Sequence, residues 1–252
     1  MDRILYTENL DAGYNGQAVI RNVNIELHEG EIIALIGPNG SGKSTILKTL
    51  CGQLPPVRGN VFLKGKNLAD VKEAELAKTM SLLMTGKIDP ELMTCMDVIS
   101  IGRYPYTGLM GKFSEHDRVV IRESMRMANV EDLGDRYFDQ ISDGQKQRVL
   151  LARAICQEPE VLVMDEPTSF LDIKHKLELL QILLKLVKEK KVAVIVSLHE
   201  IELAEKIADQ VICIKDGVAE PARSAGDVFV RDNICRLFEI NEAQYDWLYK
   251  GR

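Results

Sequence analysis

The chain has 252 residues, of which 46% are hydrophobic and 28% charged, with a formal net charge of −6. That is enough apolar residue for one large core, or a core with a smaller lobe, and the acidic balance supplies no global basic field to favour nucleic acid. No stretch approaches the ~18 apolar residues that span a bilayer, and Met1 to Leu10 carry no apolar signal segment, so a role at a membrane requires docking on another chain. The five cysteines, Cys51, Cys95, Cys156, Cys213 and Cys235, show no CxxC spacing and no histidine at metal-ligand distance. They read as reduced, mostly buried thiols of a cytosolic protein.

In chain order, Val23, Ile25 and Leu27 alternate with Asn24, Glu26 and His28. This is the pattern of a strand with one wet face, so the first thirty residues read as antiparallel. The apolar run Ile32 to Ile36 reads as a strand buried on both faces. A glycine-rich loop follows, then a helix from Lys43 to about Cys51, stopped by Gly52 and Pro55-Pro56. Residues 57 to 84 read as short strands and turns, with Val61-Phe62-Leu63 the clearest. From about 86 to 157 the pattern becomes helical. Ser114 with Asp117 resembles an N-cap with an acidic N3 residue, and Val120, Ile121, Met125 and Ala128 follow at helical spacing. A second helix starts near Ser142 and carries Val149, Leu150 and Ala154. Buried strands resume at Val161 to Met164, Val192 to Val196 and Val211 to Ile214. The helix between the first two is expected to turn Leu177, Leu180, Leu184 and Val187 inward. Strands alternating with helices imply a parallel sheet with right-handed crossovers. Residues 221 to 252 read as a short helical tail.

Gly37-Pro38-Asn39-Gly40-Ser41-Gly42-Lys43-Ser44 matches GxxxxGK[ST] between a buried strand and a helix, the setting that motif requires. The glycines let successive N–H groups point at phosphate oxygens, and the helix N-terminus adds its positive dipole end. Lys43 is expected to reach the β and γ phosphates, the Ser44 hydroxyl to ligate Mg²⁺, and Thr45 to support the α phosphate. Val161 to Met164 runs into Asp165-Glu166, an apolar strand ending in two carboxylates. Ligands of open α/β sheets bind at such strand ends. Asp165 is therefore expected to hold Mg²⁺ through a water, and Glu166 to orient and polarise the attacking water.

The phosphate loop alone would fit GTPases, kinases or helicases. Ile141-Ser142-Asp143-Gly144-Gln145 discriminates among them, because it resembles the LSGGQ signature of ATP-binding cassette (ABC) proteins, continued by Lys146-Gln147-Arg148. Ser142 to Gln145 stand at a helix start, a second anion-binding terminus. The resemblance covers about residues 3 to 217. It implies a single nucleotide-binding domain of α/β class, a P-loop NTPase (RecA-like) core with an antiparallel β subdomain and an inserted α-helical subdomain. The core would take residues 1–85 and 158–220, the helical part 86–157, and the tail 221–252. It implies ATP hydrolysis with Mg²⁺, and a head-to-tail homodimer in which the signature of one copy faces the γ phosphate on the other's loop. It further implies integral-membrane permease partners, an indirect link to a substrate-binding protein, and a place on the inner face of the cell membrane. Tyr14 resembles the aromatic residue that stacks on adenine, Ser169-Phe170-Leu171-Asp172 the D-loop along the dimer seam, and His199 the switch histidine at the γ phosphate. His28, His116 and His175 fall on no motif and read as surface residues.

One position departs from the family. Thr85 stands where the family normally has a glutamine, in a loop that in the family touches Mg²⁺ and the membrane subunit; the shorter hydroxyl cannot span the same gap, though it could act through a water. Asp97 to Gly108, with Gly102-Arg103-Tyr104-Pro105-Tyr106, is similar to the importer subunits for iron–siderophore, haem and cobalamin, a group that often carries GRxPY here. The alternatives are importers of other cargo, a soluble cassette ATPase without a transport role, and a nucleotide-gated binding module with little hydrolysis.

Overall fold

The computed structural model describes residues 3–84, 90, 92–108 and 111–249. Strand β1 (Arg3–Tyr14) turns at Asn15-Gly16 into β2 (Gln17–Val23). Both turn residues have positive φ, 51° and 76°, as a two-residue hairpin loop demands. Then come β3 (Glu26–His28), β4 (Ile32–Ile36), α1 (Lys43–Leu50), β5 (Arg58–Leu63) and β6 (Lys66–Asn67). Next are α2 (Glu73–Thr79), β7 (Met80–Leu83), α3 (Cys95–Ser100), a 3₁₀ turn over Ile101–Tyr106, α4 (Glu115–Met127) and α5 (Asp143–Cys156). Strand β8 (Val161–Asp165), α6 (Ile173–Lys190), β9 (Ala193–Ser197), α7 (Ile201–Ile207) and β10 (Gln210–Lys215) alternate. The chain finishes with β11 (Val218–Ala219), β12 (Arg223–Ser224), α8 (Ala225–Val228), α9 (Arg231–Phe238) and α10 (Glu242–Tyr249).

These elements form two compact units, residues 1–70 with 193–252, and residues 71–192. In the first, the sheet order is β6-β5-β1-β2-β11-β10-β4-β9. Pairing is antiparallel around β1 and parallel around β4. Strand β4 lies between β10 and β9, and all five of its residues are buried, which is why it reads as an unbroken apolar run. Val23, Ile25 and Leu27 point inward as their alternation requires, although the strand breaks between Val23 and Glu26. Helix α1 packs Ile46, Leu47 and Leu50 into this core. The tail belongs to the same unit. Val228, Ile234 and Leu237 are buried, Lys215 Nζ donates to the Arg236 carbonyl at 2.8 Å, and Glu220 pairs with both Arg223 and Arg236.

In the second unit, β7 and β8 pair in parallel, from Met80 opposite Val161 to Leu83 opposite Met164. Three helices start with reciprocal caps: Thr94 with Asp97, Ser114 with Asp117, and Ser142 with Gln145. Each cap satisfies two helix-end donors, so each helix start is fixed locally. Helix α6 departs from expectation. Leu180 and Val187 are buried, but Leu177 and Leu184 are 43% and 41% exposed. The buried face centres on Leu179, Leu183 and Leu186, a stripe that gathers more apolar side chains than the one through 177 and 184 and therefore wins the core.

All five cysteines are free thiols. Burial pushes Cys51 and Cys156 up to about 12, which leaves both unreactive.

Candidate nucleotide site

The phosphate loop lies in the first unit. Gly42 takes φ 100° and caps α1 without any side-chain hydrogen bond. A Cβ there would stand 2.6 Å from Ile20 Cδ1, so glycine is required by both conformation and space. Helix α1 thus opens on bare backbone, unlike α3, α4 and α5. Lys43 is only 4% exposed; its ammonium donates to the carbonyls of Gly37 at 2.9 Å and Pro38 at 3.1 Å. The cation is turned into the loop, over the cradle. The Ser41 hydroxyl oxygen is buried with no hydrogen-bond partner among the described residues. Such an orphan is costly unless something else occupies the loop. An uncapped helix start, an inward ammonium and an orphaned hydroxyl are the donor set a polyphosphate takes.

The acidic pair lies in the second unit. Asp165 ends β8 at 3% exposure. Glu166 follows with φ 47°, a left-handed conformation that costs a non-glycine residue about 1–2 kcal/mol. The turn is tied down by Ser169, whose N–H donates to the Glu166 carbonyl at 3.1 Å and whose hydroxyl donates to Glu166 Oε2 at 3.3 Å. Strain held in place by local hydrogen bonds is a mark of a positioned carboxylate. Phe170, also at positive φ, is 97% exposed.

Ser142 caps α5. Its N–H donates to Gln145 Oε1 at 3.0 Å, and its hydroxyl accepts from Gln145 N–H at 3.4 Å. Asp172 caps α6 by accepting the His175 N–H at 2.9 Å. The two helix starts meet in the same unit, because the His175 ring lies against Gly144. His175 is therefore not the plain surface residue expected; its side chain is 24% exposed, and His28, at 26%, is likewise half-covered and held to Glu31. Only the Asp172 cap has a local signal in the sequence, an aspartate three residues before His175; the contact with Gly144 has none.

Comparison with known proteins gives the family. Residues 20–169 match the ABC transporter family model. The chain is 46% identical over 242 residues to the uncharacterised ABC transporter ATP-binding protein MJ0873 of Methanocaldococcus jannaschii, covering 96% of this chain and 83% of that protein. It is 34% identical to the iron(3+)-hydroxamate import ATP-binding protein FhuC of Bacillus subtilis, over 94% of this chain and 88% of that one. It is also similar, at TM-score 0.76 and 29% identity, to the ATP-binding cassette MJ0796, solved as a dimer in a post-hydrolysis state with ADP and Pi; the match covers 88% of this chain and 98% of that chain. This chain belongs to the ABC transporter family. It is an ATP-binding cassette ATPase.

Within this cassette, Tyr14 closes β1 beside the Asn15-Gly16 turn and is 44% exposed. His199 follows β9, half-buried, two residues beyond Ser197. Thr85 lies outside the described residues. The Gly102–Tyr106 segment has a structural explanation that sequence reasoning missed. Arg103 is 1% exposed; its Nε donates to Asp117 at 2.8 Å, and one Nη donates to the Cys156 carbonyl at 2.9 Å and to Glu158 at 2.7 Å. The guanidinium also lies 3.9 Å over the Tyr106 ring, whose hydroxyl donates to the Gln157 carbonyl at 2.9 Å. The motif arginine thus joins the start of α4 to the end of α5. Among the described residues, no helix is long and apolar enough to cross a membrane.

Proposed function

We propose that this cassette is the motor subunit of a metal-chelate importer of the iron–siderophore, haem or cobalamin type, docked from the cytoplasmic side on a separate permease. The observation that carries the nucleotide reading is the α1 start: an uncapped helix N-terminus entered through a left-handed glycine, with the Lys43 ammonium turned onto the loop carbonyls. In this reading Gly37 to Thr45 hold the triphosphate of ATP, and Tyr14 stacks on the adenine. Ser44 and Asp165 offer a hydroxyl and a carboxylate oxygen, hard donors of the kind Mg²⁺ takes. That ion would neutralise charge on the phosphate oxygens. Thr85 contributes at most through a water.

Two copies pair head to tail, so that Ser142, Asp143, Gly144 and Gln145 of one copy meet the γ phosphate on the other's loop. Glu166 accepts a hydrogen bond from the attacking water and draws off its proton as the water's oxygen bonds to the γ phosphorus. The bond to the bridging oxygen breaks, ADP leaves, and His199 steadies the charge on the γ phosphate. Positioning and charge stabilisation do the chemistry, with no covalent intermediate. The cargo class is supported by the resemblance to FhuC, named for iron(3+)-hydroxamate import, and by Gly102–Tyr106.

The test is purification of the chain from membranes together with whatever permease it holds, followed by ATPase and uptake assays with ferric hydroxamates, haem and cobalamin. ATP turnover coupled to uptake of one of these chelates is expected. Turnover by a chain that holds no permease would remove the transport reading.

A further inference from the structure

Helices α5 and α6 meet at one glycine and one histidine. A Cβ added to Gly144 would lie 2.5 Å from both Cγ and Cδ2 of His175 and 2.9 Å from its Nδ1. The imidazole therefore lies against the first turn of α5, and any larger residue at 144 must displace it. The ring is fixed from its other side as well. Its Nδ1 stands 2.9 Å from Oδ1 of Asp172, the same oxygen that accepts the His175 backbone N–H. A carboxylate only accepts, so Nδ1 carries the proton and the ring cannot flip without losing that bond. One turn further along both helices, Arg148 donates to Glu178. Two contacts thus lock the helices in register.

The contact has consequences on both sides. On the α6 side, the turn that begins at Glu166 leads through Phe170 and Leu171 to Asp172, and Ser169 ties that turn back to the Glu166 carbonyl and carboxylate. On the α5 side, Gly144 sits inside the Ser142–Gln145 cap. Hydrogen bonds join Ser169 to Glu166, three further residues of chain lead to Asp172, and Asp172 holds His175 against the start of α5, all within residues 71–192. We propose that His175 is a positioning residue that holds the Ser142–Gln145 helix start in register with the turn carrying Glu166. This rests on the functional reading above, in which Glu166 serves the ATP on its own loop and the helix start serves the ATP on the partner's. His175 then links the two nucleotides of the dimer through the body of a single subunit.

The test is steady-state ATPase kinetics on the full chain for wild type, His175→Ala, His175→Asn, Gly144→Ala and the His175→Ala/Gly144→Ala double variant. Nucleotide affinity and melting temperature are measured alongside. His175→Ala should lower kcat roughly ten- to a hundredfold, the scale of misplaced groups remote from the chemistry, while ATP affinity and melting temperature hold. Asparagine puts an amide N–H where Nδ1–H stands and should restore part of the rate. Gly144→Ala should be severe in wild type and milder once the ring is gone, because the collision is then absent. A kcat within about twofold of wild type in His175→Ala, losses that simply multiply in the double variant, or a loss tracked by an equal fall in ATP affinity and melting temperature would each overturn the proposal. A wild-type chain without ATPase activity would instead remove the functional reading, and this inference with it.

Discussion

Arg103→Ala tests whether the GRYPY segment is a lock of the helical part of the cassette. Arg103 is 1% exposed and Asp117 is 4% exposed, so the substitution leaves a buried carboxylate whose remaining described partners are the N–H and hydroxyl of Ser114. Breaking one side of a buried pair costs about 3–5 kcal/mol. Each kcal/mol moves the melting temperature of a domain of this size by about 2–4 °C. Together these give a fall of roughly 6–20 °C. The pH dependence has a definite sign. Burial alone would raise the Asp117 carboxyl, but hydrogen bonds from Ser114 and the Arg103 guanidinium hold it down at about 2, against an ordinary 3.8. Its contribution is complete above the ordinary value and is lost as pH falls through the depressed one. Without the guanidinium, burial acts less opposed, and the acid limb of stability moves to higher pH. Thermal unfolding between pH 2 and pH 7 reads both effects. The Arg103→Ala/Asp117→Asn double variant should recover part of the loss, since no buried charge is then left unpaired. A drop below about 2 °C, or a double variant no better than the single, would refute the lock.

The other predictions concern the two halves of the chemistry and the tail. Glu166→Gln should lower hydrolysis by on the order of 10²-fold or more and accumulate an ATP-bound dimer, read by phosphate release and size-exclusion chromatography; full turnover would remove Glu166 as the base. Lys43→Ala removes charge-assisted hydrogen bonds worth about 1.5–3 kcal/mol each, so ATP affinity should weaken roughly 10- to 100-fold in a binding titration. Unchanged affinity would contradict its role. Leu237→Ala, at 2% exposure, should cost about 2–5 kcal/mol in denaturant unfolding while kcat per folded molecule holds, because α9 carries none of the proposed nucleotide contacts. Unaltered unfolding would mean that the tail contributes no core.

The chemistry-bearing segments were legible because their signals are local. Apolar strands Ile32–Ile36 and Val161–Met164 each run into a loop that carries polar ligand groups, and an N-cap three residues from its partner reads directly in Ser114 and Ser142. The inward face of α6 was not legible, because a leucine-rich helix offers two stripes and only the surrounding core chooses between them. His175 was hidden for a related reason: its partner Gly144 lies on another helix, and no spacing in the sequence brings positions 144 and 175 together. Arg103 was read as a family marker, yet its partners Asp117, Cys156 and Glu158 are 14 to 55 residues away in sequence. Burial of a charge that far from its partners is a tertiary fact.

The phosphate loop belongs to one compact unit, and the acidic turn, the Ser142–Gln145 cap and the Arg103 lock belong to the other. Binding and turnover should therefore respond to different sets of residues. A change at Lys43 acts on the loop that grips triphosphate while the helix caps of the second unit keep their local hydrogen bonds. A change at Arg103 or His175 disturbs the second unit while the Gly42 turn and its packing on Ile20 stay as they are. Because hydrolysis needs both, kcat falls in either case, but affinity falls in only one. Defects at Lys43 and His175 should accordingly separate into affinity and rate, whereas two defects inside the second unit should couple.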